Sequence, residues 1–456
     1  MKSEVVHSLL VRNYNQPVPR YTSYPTVPFW KEQLDQAEWK TVFQTKFSEQ
    51  NYLNGISLYI HLPFCESLCT YCGCNKKITT NHSVEDEYLK TIQKEWLQYK
   101  KLMKQTPVLR ELHLGGGTPT FFSPANLKKL LQFILKDCIK HPQYEFSIEG
   151  HPNNTTIEHL RMLYSLGFRR ISYGVQDNDP QVQHIINRVQ PFENVKAATE
   201  NARGLSFTSV NFDLIYGLPL QTVESIERTI NQVISLKPDR IAFYSYAHVP
   251  WTSKAQRLFN ESHLPSAEEK IQLYLKGKEL LLNNGYADIG MDHFALPTDE
   301  LYKAWKDGKL HRNFMGYTTQ NSGLLLGLGV SSISDTGNAF AQNKKTLHDY
   351  YAAINNGKLA VQKGYILSPE DIRFKKYILN IACKGYTYFD EEDLPILRTI
   401  TFPQLKELEK DGLIEWNVSS LKLTAQGHYF IRNVCSAFDL YLHRSPLEQQ
   451  VFSKAI

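Results

Sequence analysis

In Ile56-Ser57-Leu58-Tyr59-Ile60-His61-Leu62-Pro63-Phe64-Cys65-Glu66-Ser67-Leu68-Cys69-Thr70-Tyr71-Cys72-Gly73-Cys74, an apolar run turns directly into a cluster of thiols. Residues 56–61 are short, apolar and rich in β-branched and aromatic side chains, the composition of a strand. The spacing that follows is C-x3-C-x2-C, formed by Cys65, Cys69 and Cys72. Three thiolates on one tight loop can hold three irons of a cubane 4Fe-4S cluster and leave the fourth iron open. Zinc is the competing reading, but structural zinc usually takes paired C-x2-C elements well apart in the chain. The cysteines therefore predict a cluster loop at the C-terminal end of a strand.

Working outward, five further segments of the same character follow, at 111–114, 145–149, 170–175, 210–215 and 241–246. Between them lie stretches with helical spacing and N-cap signals. Ser83 precedes Val84, Ser123 precedes Pro124, and Thr222 precedes an amphipathic run ending near Leu236. Strands alternating with helices make parallel βα units. Six such units exceed a small domain and fall short of a closed eight-stranded barrel. The spacing predicts an α/β fold built on a partial, open (β/α)6 barrel. In such barrels chemistry gathers at the C-terminal strand ends. Here those ends carry the cysteines, then Gly115-Gly116-Gly117-Thr118, Glu149, Gln176, Asp213 within the fifth strand, and Ala247-His248.

An open cluster iron can be chelated by the amino and carboxylate groups of S-adenosylmethionine (SAM). One electron from the reduced cluster then cleaves the sulfonium and yields a 5′-deoxyadenosyl radical. The glycine run offers backbone without side-chain obstruction, so its edge can meet the amino group of a ligand. Taken alone, a Gly-rich turn is weak evidence, and Glu149, Gln176, Arg188 and Asp213 taken singly read as surface or salt-bridge residues. Their shared position at strand ends places them around one cavity, where an acid and a base could grip the ribose hydroxyls and the carboxylate of SAM.

The bulk properties agree with a soluble enzyme. A chain of 456 residues, 42% hydrophobic and 21% charged, suggests two or three globular domains. With 51 basic and 46 acidic residues the net charge is +5, spread without a basic block, so nucleic acid is not implied. No apolar run reaches the roughly 18 residues of a membrane span, and the first residues lack a signal-peptide core. A cytoplasmic protein with no membrane partner is expected. Seven cysteines, an odd number with one tight cluster, argue for a metal site in a reducing compartment. Cys138, Cys383 and Cys435 lie in apolar helical patterns and read as inert core. Residues 1–49, with Pro17, Pro19, Pro25 and Pro28 around Arg20, Tyr21 and Tyr24, read as an extended arm without helix. Residues 50–285 form the core barrel and 286–364 complete it. Residues 365–456 form a small, mostly helical, winged-helix-like domain, with Ser368-Pro369 opening a helix and a hairpin around Asn417-Val418-Ser419-Ser420. Without a basic helix, packing against the barrel mouth is the expected role of that domain.

Other motifs extend the pattern: Pro19-Arg20-Tyr21-Thr22-Ser23-Tyr24-Pro25-Thr26, Gly174-Val175-Gln176-Asp177, Asp213-Leu214-Ile215-Tyr216-Gly217-Leu218-Pro219 and Gly290-Met291-Asp292-His293-Phe294-Ala295. His311-Arg312-Asn313-Phe314, Gly327-Leu328-Gly329-Val330-Ser331 and Arg432-Asn433-Val434-Cys435 complete it. Through these motifs nearly the whole chain resembles the oxygen-independent coproporphyrinogen III oxidase (dehydrogenase) family of the radical SAM superfamily. The resemblance implies oxidative decarboxylation of the ring A and B propionates of coproporphyrinogen III to vinyl groups, giving protoporphyrinogen IX. The adenosyl radical takes a hydrogen from the propionate β-carbon, and carbon dioxide and an electron then leave.

The same resemblance implies a 4Fe-4S cluster on Cys65, Cys69 and Cys72 and two SAM molecules per monomer. Their contacts would be divided among Tyr59, Tyr71, Gly73, Gly116, Gly117, Thr118, Glu149, Gln176, Arg188, Asp213, Ala247 and Ile333. It places Arg20, His61, Cys74 and Phe314 on the catalytic or substrate side, with Cys74 not a cluster ligand. An electron donor such as flavodoxin or ferredoxin and a monomeric state are implied as well. Two positions depart from the usual family pattern: Glu149-Gly150-His151-Pro152, where Glu-(Val/Ile)-Asp-Pro is common, and Met315, where Gln is common. A haem-chaperone relative is the nearest alternative, but such proteins typically lack the Pro-Arg-Tyr-Thr-Ser-Tyr-Pro arm and follow the third cysteine with Asp-Phe. Met315 and Gly150-His151 keep a radical SAM haem methyltransferase as a second alternative. A winged-helix regulator using its cluster as a redox sensor is a third, disfavoured by the six βα units.

Overall fold

β1 (Ile56–Leu62) is buried along its whole length, as expected for a strand covered on both faces by its neighbours. The computed structural model describes residues 8–445 and 452–455. Residues 1–7 of the predicted arm, and 446–451 and 456 of the C-terminal segment, lie outside the described residues. After β1 come β2 (Val108–Gly116), β3 (Ile139–Gly150), β4 (Arg170–Gln176), β5 (Ser209–Tyr216) and β6 (Arg240–Ser245). Each is parallel to the one before it and adjacent in the sheet. The helices α1 (Val84–Leu102), α2 (Pro124–Leu135), α3 (Ile157–Leu166), α4 (Phe192–Gly204), α5 (Val223–Ser235) and α6 (Ala267–Asn283) follow the strands in turn. The open six-unit α/β barrel expected from the spacing is present.

Two of the three N-caps behave as predicted. Ser123 accepts from Asn126 N, and Thr222 and Ser225 form a reciprocal capping box. Ser83 makes no side-chain cap. Its own N–H instead donates to Asn81 Oδ1 at 3.0 Å, and Glu85, Asp86 and Glu87 in the first turn complement the helix dipole.

The sheet runs on past the six parallel strands. On one side β8 (His293–Ala295) adds antiparallel to β6, and β7 (Ala287–Gly290) adds antiparallel to β8. On the other, β9 (Leu325–Leu328) lies parallel to β1, and β10 (Ile333–Asp335), β11 (Ala339–Asn343) and β12 (Val361–Ile366) continue antiparallel. The result is one open twelve-stranded sheet with β12 and β7 at its edges.

The N-terminal segment differs from the expected extended arm. Ser8–Tyr14 and Gln36–Gln50 are helices. Trp39, Phe43 and Phe47, spaced by four, bury one face of the second, so the helical period past the last proline outweighs the arm reading. Between the helices the chain is extended and strapped down. Tyr21, Tyr24 and Trp30 are buried, Tyr21 donates to Asp439 Oδ2 at 3.1 Å, and Trp30 stacks on Phe340 with ring centroids 5.1 Å apart. Deleting residues 1–30 would open the core, so the arm has to be probed by point substitution.

In the C-terminal segment, helix Pro369–Lys384 starts in a capping box of Ser368 and Asp371. Helix Phe402–Lys410 and a three-stranded sheet of Tyr386–Tyr388, Ser420–Leu423 and Ile414–Trp416 give the winged-helix-like pattern. Cys383 and Cys435 are buried in helices as expected. Cys138 instead lies just past the end of α2, half-buried, its thiol donating to Ile134 O at 3.1 Å. Among the described residues no helix is long and apolar enough to cross a membrane.

Candidate active site

The C-terminal ends of the barrel strands open onto a cavity of about 1020 Å³. Its lining includes Cys65, Cys69, Cys72 and Cys74 from the loop after β1, and Gly116, Gly117 and Thr118 from the end of β2. Glu149, Gln176, Arg188, Asp213 and Tyr71 line it too. Residues far apart in sequence thus meet because parallel strands all end on one edge of the sheet.

The cysteine loop is held from several sides. Phe64–Cys65 pairs with Lys77–Ile78, Thr70 N donates to Ile186 O at 3.0 Å, and Asn187 Nδ2 donates to Leu68 O at 2.8 Å. Thr118 Oγ1 donates to Cys65 Sγ at 3.3 Å, and Arg188 Nη1 stands 3.6 Å from Cys69 Sγ. Burial pushes the Cys65 thiol up to about 11. Hydrogen bonding from Cys74 outweighs burial at Cys72 and, with Lys76 nearby, pulls that thiol down to about 6. Among the described residues no group of three His, Cys, Asp or Glu side chains is gathered to hold a single metal ion. A cubane binds each thiolate on a different iron, so its ligands stand farther apart than those of one ion. Three thiols on one loop, lining one cavity beside an arginine, suit that larger anionic group.

The glycine run proves more constrained than the sequence suggests. A Cβ at Gly116, whose φ is +117°, would stand 2.7 Å from the His61 ring, and one at Gly117 would stand 2.6 Å from the Pro63 carbonyl carbon. Gly117 N donates to Leu62 O at 2.8 Å and Thr118 N to Phe64 O at 3.0 Å. The glycines thus let β2 close against the end of β1 as well as leaving an open edge.

Glu149 accepts from Gly116 N at 3.1 Å and meets His113 Nε2 at 3.2 Å. Burial opposes its charge, but the His113 and Gly116 contacts prevail and hold the carboxyl below the usual range. Asp213 behaves oppositely. Burial, then the charge of Glu149, pushes it up to about 7, while Ser172 Oγ donates to it at 3.2 Å. Gln176 sits at φ +66°, where strain is tolerated when surroundings demand it. A Cβ on Gly174 would come within 2.6 Å of its amide nitrogen. Arg188 Nη2 donates to Gly174 O at 2.5 Å, and its Nε has no partner among the described residues. His151, one of the departures from the family pattern, also lines the cavity, and burial with Arg188 nearby drives it down to about 3, hence neutral.

Other predicted residues lie elsewhere. Tyr59 is behind the cavity, its hydroxyl 3.0 Å from His61 Nδ1, its ring stacked on His113 and met edge-on by Phe314 at 5.0 Å. Gly73 is exposed, with nothing within 4 Å of where its Cβ would stand. Ala247 follows β6, its carbonyl accepting from Gln256 Nε2 at 3.1 Å. Ile333 is on β10, separated from β1 by β9, and packs on the cluster of Trp30, Phe340 and Leu367. None of these four is in the lining of the large cavity. Met315 lines a smaller one of about 120 Å³, which shares Glu149, Asp213 and Tyr244 with the large cavity. Arg20 lines a third, with its Nη2 donating to Ser245 O at 2.7 Å. Tyr244 lines all three cavities. The sequence reading missed it, although its place at the end of the sixth strand was a usable signal. Also missed was the buried ionic layer in the barrel, where Arg170 binds Glu145 and Arg240 binds Asp299 at 2.6 Å.

Comparison with known proteins agrees with this geometry. Residues 59–233 match the radical SAM superfamily. Oxygen-independent coproporphyrinogen III oxidase from Pseudomonas aeruginosa is 37% identical over 457 residues, covering 98% of each chain. The protein of the same name from Helicobacter pylori is 39% identical over 452 residues, covering 97% of this chain and 98% of the relative. The solved structure of coproporphyrinogen III oxidase from Escherichia coli, a radical SAM enzyme, superposes with a TM-score of 0.88 at 36% identity, over 94% of this chain and all of the other. Fold, cysteine loop and cavity are those of a radical SAM enzyme. Within that class, the chain belongs to the oxygen-independent coproporphyrinogen III oxidase family.

Proposed function

We propose that this protein converts coproporphyrinogen III to protoporphyrinogen IX by oxidative decarboxylation of the ring A and B propionates. The full-length relationship carries this reading, together with a thiol-, acid- and arginine-lined cavity at the strand ends. Cys65, Cys69 and Cys72 are the residues that would hold the cluster. A reduced 4Fe-4S cluster with SAM supplies the 5′-deoxyadenosyl radical that starts the reaction. Arg188 offers a cation to the SAM carboxylate, Glu149 and Asp213 offer acceptors to the amino and ribose groups, and the open edge at Gly116-Gly117 admits them. Two hydrogen abstractions call for two SAM molecules, with Tyr59, Ala247, Ile333 and Phe314 assigned to the inner, substrate-side site. Flavodoxin or ferredoxin as donor, a monomer and a cytoplasmic setting complete the reading, the last supported by seven free cysteines. Residues 1–49, 50–285, 286–364 and 365–456 are its functional divisions.

Anaerobic incubation of the reconstituted protein with SAM, a reductant and coproporphyrinogen III should release two carbon dioxide molecules and cleave two SAM molecules per porphyrinogen. Methyl transfer without carbon dioxide would replace this reading by the methyltransferase one.

A pH dependence follows from Asp213. Its folded carboxyl titrates at about 7, so it is mostly protonated below that pH and ionised above it. An ionised carboxylate is the better acceptor for ribose hydroxyls and the better partner for a sulfonium. SAM affinity should therefore rise as pH increases from 6 to 8, by up to about tenfold per unit below the pKa. Equilibrium SAM titrations across that range should lose this slope in Asp213→Asn. A flat profile in the native protein would remove Asp213 from this role.

A further inference from the structure

The small cavity that holds Arg20 is lined by two further arginines from distant parts of the chain, Arg312 from strand His311–Asn313 and Arg432 from helix Ile431–Ser436. Arg312 is only 8% exposed, and its Nε and Nη1 have no hydrogen-bond partner among the described residues. Its Nη2 donates to Arg20 O at 3.2 Å, and its guanidinium lies 4.9 Å from the Tyr317 ring centroid. The contacts of Arg432 are to backbone carbonyls of Val18, Pro19, Ser453, Lys454 and Ala455 and to the Ser453 hydroxyl. Arg20 donates to the Ser245 carbonyl.

The carboxylates here do not balance these charges. Asp288 is held by Lys278 at 2.9 Å. Asp292 lines the cavity and feels all three arginines, yet burial outweighs them and its carboxyl is pushed up. Burial, with Arg20 nearby, pulls Arg432 down to about 10 and Lys270 down to about 7. Gathering buried cations is costly unless an anion joins them, and guanidinium forks match carboxylates in geometry. The cavity measures about 60 Å³, roughly two waters' share of liquid volume. That admits a carboxylate on a short arm, not a ring. Tyr244 lines both this cavity and the large one, so the body bearing such an arm can lie in the large cavity.

We propose that the Arg20–Arg312–Arg432 pocket anchors one carboxylate arm of the substrate, and that this is an arm the reaction leaves intact. The proposal rests on the tetracarboxylate substrate assigned above. A reacting arm must offer its β-carbon in the large cavity, and loss of carbon dioxide removes charge from its carboxylate. A guanidinium grip stabilises that charge in the ground state and so opposes the loss. The same grip suits a propionate that persists into the product. The pocket also gives the N-terminal strap and the C-terminal segment a shared task, since it is complete only when both are docked.

The test uses reconstituted holoenzyme and two stable oxidised porphyrins, coproporphyrin III with four propionates and protoporphyrin IX with the two retained ones. Fluorescence titration of Arg312→Gln should show both porphyrins bound about tenfold to a hundredfold more weakly, by the same factor, as expected for charge-assisted hydrogen bonds. Cluster absorbance and SAM affinity should not change. Arg312→Lys keeps the charge without the fork and should fall between; it decides the matter if Arg312→Gln does not fold. Unchanged affinity in the folded variant overturns the pocket while leaving the function standing. A loss confined to coproporphyrin III overturns the assignment to a retained arm. If native protein binds neither porphyrin, sodium propionate separates the two ideas. A melting temperature raised by propionate in the native protein and not in the variant keeps the carboxylate pocket and rejects the substrate; no rise rejects the pocket.

Discussion

Substitution of Cys65, Cys69 or Cys72 by alanine should abolish the 4Fe-4S absorbance after anaerobic reconstitution and reduce SAM cleavage and vinyl formation to background. Each thiolate serves a different iron, so removing one leaves two irons without protein ligands. Cys74→Ala should keep most of the absorbance. Cys74 shares the cavity with the other three, but its own thiol is pushed well above the usual range, first by hydrogen bonding with Cys72 and then by that neighbour's charge. Iron and sulfide analysis beside the visible spectrum checks all four variants. Cluster loss in Cys74→Ala with retention in Cys65→Ala would overturn the ligand assignment.

The second large effect is expected at Arg188. Its guanidinium stands beside Cys69 Sγ, is tied to Gly174 O, and keeps Nε without a partner among the described residues. Arg188→Met keeps an unbranched apolar stem and removes the guanidinium with its charge and all five donors. Two charge-assisted bonds to a carboxylate are together worth about 3–6 kcal/mol, so SAM affinity should fall by about a hundredfold or more while the cluster still assembles. Equilibrium binding of SAM to the reconstituted variant measures this directly. Near-native affinity with lost activity would instead mean that Arg188 positions the cysteine loop.

The parts of the site legible in sequence are those where local chemistry decides. C-x3-C-x2-C at the end of a buried strand needs no tertiary information to suggest a cluster loop. Glu149, Gln176 and Asp213 were found because position along a strand predicts position around a barrel. Ile333 and Ala247 came from resemblance, and neither lies in the lining of the large cavity. The helix Gln36–Gln50 was hidden behind the prolines preceding it, although Trp39, Phe43 and Phe47 carry its period. The six strands added at the sheet edges are three to six residues long, too short for a period to stand out from neighbouring loops.

The order of the six parallel strands and the edge where chemistry gathers follow from the linear chain, because alternation of elements and right-handed crossovers leave few arrangements open. The charge states within the site do not. Glu149 and Asp213 are both carboxylates at strand ends, yet one is held ionised by His113 and Gly116 while the other is raised to about 7 by burial and by its neighbour. The meeting of Arg20, Arg312 and Arg432 likewise joins residues hundreds of positions apart. Such features depend on distance and desolvation, which exist only once the strap, the barrel and the C-terminal segment have packed together.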